Sequence, residues 1–78
     1  MSSPLSSKDI QNTLFTRIKS RLSKSESFVE VISELLNLSY DSAYRRIRGE
    51  TLLNIEELRV LSAHYKLSLD ELLLGVTN

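Results

Sequence analysis

Apolar residues return at helical intervals along almost the whole chain, and polar clusters punctuate them where helices start and stop. Ile10, Leu14, Ile18 and Leu22 stand strictly four apart with Phe15 beside them, predicting a first helix over roughly 8–23. Ser6 to Asp9 supplies its cap. A polar break, Ser23 to Ser27, separates it from a second helix over about 28–36, whose stripe is Phe28, Ile32, Leu35 and Leu36. Ser27 with Glu30 three residues on predicts a capping box. Asn37 falls where this helix must stop, and asparagine tolerates the left-handed conformation the exit requires. Leu38 is then expected to anchor the turn in the core. Ser39 caps a third helix over about 40–48, closed by Gly49. Asn54 to Glu57 repeats the capping logic for a fourth helix over about 55–66, with Ile55, Leu58, Leu61 and Tyr65 inward. Ser68 to Glu71 makes a third box and opens a short fifth helix over about 69–74, stopped by Gly75.

Nothing in the pattern alternates as a strand would. The expected fold is all-α, a compact five-helix bundle forming one domain over 8–75, after a Ser-rich stretch, 1–7, that reads as a disordered leader. Its expected core is Leu14, Ile18, Ile32, Leu36, Leu38, Ala43, Ile47, Leu58, Leu61 and Leu72.

The chain has 78 residues and no cysteine, so disulfides and thiolate metal sites are excluded. His64 is the single histidine and reads as a partly exposed helix residue. With it alone, neither a soft-ligand metal cage nor a nucleophile–base pair can be assembled. Glu56, Glu57, Asp70 and Glu71 sit at helix starts, where carboxylates complement the dipole instead of pairing for acid–base chemistry. No enzyme and no cofactor are expected. The start lacks the apolar core of a signal peptide and no run approaches membrane-spanning length, so the expected compartment is the cytoplasm.

The formal charge is zero but unevenly spread. Residues 1–50 carry eight basic and six acidic side chains, and 51–78 carry two and four. Three arginines fall within Arg45 to Arg48 without an acid among them, so the positive field is local. The third helix needs only Ala43 and Ile47 inward, and its turn from the second is too tight for an antiparallel pair. The two must cross steeply and present the third as a projecting rod, a helix-turn-helix suited to the DNA major groove.

On that rod Ser39, Tyr40, Asp41, Tyr44, Arg45 and Arg48 face outward. Two exposed tyrosines are poor solubilising residues, which favours a binding face over a merely solvated one. Arg45 can donate bidentately to guanine, and Tyr40 and Tyr44 can pack on thymine methyls or donate to phosphate. Asp41 is first a dipole partner, and Ser39 first a cap. Arg46 has two readings, phosphate contact or an ion pair, and Ser27 is a further candidate phosphate contact. The cluster Arg17, Lys19, Arg21 and Lys24 reads as a solvated face.

From Ser27 to Leu73 this order of elements resembles the Cro/repressor-like (XRE-type, lambda-repressor-like) helix-turn-helix domain. Ile32 and Leu36 stand where that family anchors the first helix of the motif. Ser33 takes its small-residue place, Asn37 the turn glycine, Leu38 the turn anchor and Ala43 the buried small residue, while Ser68 to Leu73 looks like its closing helix. Val29 occupies the position where many members carry a phosphate-contacting Gln. The resemblance implies five helices, recognition by residues 40–48, and binding of double-stranded DNA as a homodimer.

The expected function is sequence-specific DNA binding by a transcriptional regulator. The competing expectation is a helical protein-interaction module that keeps the bundle without strong DNA contact. The chain is also expected to be the N-terminal part of a longer regulator with a fused C-terminal domain. No membrane association and no exposed apolar stripe are expected.

Overall fold

The computed structural model describes residues 6–68. Among them the chain forms four helices and no strand: α1 (Ser7–Lys19), α2 (Phe28–Leu36), α3 (Tyr40–Ile47) and α4 (Ile55–Tyr65). The expected fifth helix, with Leu72 and the Gly75 stop, lies outside the described residues.

Every helix starts on the predicted cap. Ser6 and Asp9 close a reciprocal box, so α1 begins at Ser7 on a Ser6 cap. Asn54 and Glu57 do the same for α4. Ser27 Oγ and Ser39 Oγ accept from Glu30 N (3.4 Å) and Ser42 N (3.1 Å), the first a loose half of the predicted box.

The helix ends are more informative. Asn37 adopts φ 56°, ψ 49°, and its N–H and that of Leu38 reach back to Glu34 O and Ser33 O. This is the Schellman closure, which satisfies the last carbonyls of a helix through one left-handed residue. Gly49 (φ 81°) closes α3 in the same way, with Glu50 N donating to Arg45 O. Lys66 (φ 55°) does so for α4, through Leu67 N and Ser62 O. No glycine or asparagine marked that third site.

α1 ends differently and four residues earlier than its apolar spacing implied. Arg21 N and Leu22 N bond only three residues back, to Ile18 O and Lys19 O, while Ser20 Oγ takes Arg17 O. A tightened last turn and a serine that captures a terminal carbonyl stop the helix before the next apolar position. Leu22 therefore leaves the stripe and is only half-buried.

The core is Leu14, Phe15, Ile18, Ile32, Ala43 and Leu61, ringed by partly buried Ile10, Phe28, Leu36, Ile47, Leu58 and others. Phe15 meets Phe28 edge to face at 5.7 Å. Two expectations fail here. Leu38 is half-buried and stands outside both the core and its ring, at the exit from the left-handed Asn37 where its N–H closes α2. Ile55 is 84% exposed: as the first residue of α4 it lies off the inward phase, which Glu57, Leu61 and Ser62 occupy. Together with Leu52 (51% exposed) it forms an apolar surface patch where none was expected.

Three polar side chains hold the elements in register. Buried Gln11 donates to Arg46 O (2.7 Å) and Thr51 O (3.0 Å) and accepts from Leu53 N (2.7 Å). It thereby fastens the end of α3 and the following loop to α1. Lys8 lays its stem over Gly49 at the same junction. Arg21 donates to Tyr65 O and ties the end of α1 to the end of α4.

Candidate nucleic-acid interface

α2 and α3 are joined by Asn37, Leu38 and Ser39 alone, and α3 is eight residues long. The helix buries Ala43 fully and Ile47 in part. Everything on its other side is exposed: Tyr40 at 55%, Tyr44 at 50%, and Asp41, Arg45 and Arg48 with them. Ser39 is exposed as well, at the N-terminus where its hydroxyl caps the helix. The six residues expected on the outward face are therefore brought together on one surface.

Their charges are already partnered. Arg45 Nη2 lies 3.2 Å from Asp41 Oδ2, one turn back on the same helix. Arg48 pairs with Glu50, and its guanidinium also lies over the Tyr44 ring, 5.2 Å from the centroid. Between exposed side chains such pairs hold weakly and exchange readily for another anion. Tyr40 sits against the first turn of α2, where partial desolvation and the neighbouring Glu30 carboxylate push its phenol above the ordinary value.

Arg46 resolves its two readings toward the interior. Its Nε lies 3.0 Å from Glu57 Oε1, and Nη1 donates to Ser42 O at 3.1 Å. Both side chains are largely buried, at 16% and 11% exposure. Glu57 Oε1 also accepts from Asn54 N (3.1 Å), so one carboxylate caps α4 and fixes α3 against it. Arg46 thus orients the rod from behind, while Arg45 and Arg48 remain on its front. Ser27 is exposed at the N-terminus of α2, its hydroxyl engaged by Glu30 N.

Nothing in the apolar spacing marks Gln11 as a fastener. It reads as one of three consecutive polar residues, Gln11 to Thr13, and only its burial reveals the role. The signal for Glu57 was present but partial: a carboxylate three residues after a cap accounts for one of its bonds, not for the guanidinium that shares it. Val29 borders the outward face too, forming with Tyr40, Asp41 and Tyr44 an open apolar depression between α2 and α3.

Residues 9–78 match the family described as the BetR domain. The chain belongs to the BetR domain family. That family is of the helix-turn-helix, DNA-binding type. No curated protein and no solved structure matches the sequence. Among the described residues no helix is long and apolar enough to cross a membrane, and no group of acidic or histidine side chains could hold a metal ion.

Proposed function

We propose that this BetR domain is a sequence-specific DNA reader of a transcriptional regulator, docking α3 in the major groove in the manner of Cro/repressor-like domains. The observation that carries the reading is the outward face of α3, which exposes two tyrosines and two arginines opposite an inward side of Ala43, Ile47 and the Arg46–Glu57 pair. A groove about 12 Å wide admits one such helix. Arg45 reads a guanine edge and Arg48 neutralises phosphate beside it. Ser39 and Ser27 sit at helix N-termini, where backbone N–H groups favour phosphate oxygens. The module has no catalytic role.

One eight-residue helix reads too few bases to find a site in a genome, so two copies act on half-sites about 10–10.5 base pairs apart. The exposed Leu52 and Ile55 offer such a pair apolar surface.

Selection of bound sequences from a random duplex pool tests the reading, followed by footprinting of the winner. Arg45→Ala is expected to cost about 1–3 kcal/mol on the selected site and to relax preference at one base pair. Arg48→Ala should weaken all sequences alike and lower the salt slope by about one. A pool that yields no enriched duplex at low salt would sink the reading. It would favour a protein-interaction module instead, an alternative motivated by the acids that already neutralise the α3 arginines.

A further inference from the structure

The depression lined by Val29, Tyr40, Asp41 and Tyr44 is unlike the rest of the outward face. Its walls are an aliphatic side chain from the first turn of α2 and two phenol rings from the first two turns of α3. Val29 is half-buried and packs against the core from below, so the floor is fixed, whereas the two rings are half-exposed and form an open mouth. The depression lies beside Arg45 and Arg48 and is continuous with the face that the proposed function turns to the duplex.

The major groove presents donors and acceptors at every base pair, but only one apolar group of this size, the 5-methyl of thymine. Beside that methyl lies O4, an acceptor, and a tyrosine hydroxyl on the rim is a matching donor. Tyr44, one turn further along α3 and half-exposed, offers its hydroxyl at that rim. The rival occupant, an amino group of cytosine or adenine, has a single carboxylate to meet, Asp41, in a depression otherwise lined by Val29, Tyr40 and Tyr44.

We infer that the Val29–Tyr40–Tyr44 depression receives the 5-methyl group of one thymine in each half-site. This inference rests on the DNA-reading role proposed above and adds what that reading leaves open, the identity of one base and the atoms that select it.

The test uses the full chain and the duplex recovered by selection, with each thymine replaced in turn by deoxyuridine, which removes the methyl and nothing else. One position per half-site should lose about four-fold in affinity, the worth of one buried methyl-sized group. Tyr44→Ser, at an exposed position that leaves the core intact, should weaken binding to the thymine duplex and erase the deoxyuridine penalty at that position alone. Tight, selective binding that no single deoxyuridine disturbs overturns the inference and leaves the DNA-reading role standing. A penalty that survives unchanged in the Tyr44→Ser protein assigns the methyl to another surface and also overturns it. If no duplex is selected at all, the DNA-reading role fails, and the thymine contact fails with it.

Discussion

The side-chain amide of Gln11 meets three backbone groups, one at the end of α3 and two in the loop beyond it. Leucine has the same bulk and none of the bonds. Gln11→Leu is therefore expected to cost about 2–4 kcal/mol, since buried backbone groups left unmet carry their full desolvation penalty. Urea unfolding measures it, and a loss under about 0.5 kcal/mol would mean that the loop finds other partners. Ser62 presents the opposite case. It is buried in α4 with a hydroxyl that makes no hydrogen bond. Ser62→Ala should leave stability unchanged or raise it by up to about 1 kcal/mol, because it removes an unpaid desolvation and improves helix propensity. A clear loss of stability in the same unfolding experiment would reveal a partner for the hydroxyl.

At the scale of the elements, the three left-handed closures rank by how well each residue suits its backbone. Glycine at Gly49 carries no steric penalty, asparagine at Asn37 a small one, and lysine at Lys66 the largest. Replacing Lys66 with glycine should thus stabilise by more than replacing Asn37 with glycine, by roughly 0.5–1 kcal/mol, while Asn37→Val should destabilise because a branched side chain resists positive φ. Thermal melts of the three variants decide the order, and equal melting temperatures for Asn37→Gly and Asn37→Val would contradict it. Helix existence, caps and the α2–α3 turn were legible from spacing because each is set within about one helical turn of sequence. The early end of α1, the peripheral Leu38 and the exposed Ile55 were not. In each case a polar group stands at the point of departure: a serine on a last carbonyl, an N–H spent on a closure, a carboxylate claiming the inward phase of α4. Apolar periodicity is silent about all three.

For the whole molecule, the relevant quantity is how much positive charge remains to meet a polyanion. The outward residues of α3 were readable from sequence, but their partners were not, since Arg45 could be matched with Asp41 only once both rotamers were known. Asp41→Asn frees that guanidinium. On the proposed reading it should raise affinity for random duplex DNA several-fold at low salt and steepen the salt slope by about one unit, as one more phosphate is neutralised. Fluorescence anisotropy across a salt series measures both, and an unchanged slope would show that Arg45 never faces phosphate. The same pairing governs how such a protein travels. Grip on arbitrary sequence comes from phosphate neutralisation, and here the two exposed arginines, Arg45 and Arg48, each hold an internal carboxylate that a phosphate must replace. Contacts with the wrong sequence would then be brief. The domain would hunt for its site by frequent release and recapture from solution, not by long one-dimensional slides, trading thoroughness along each stretch for the number of stretches visited.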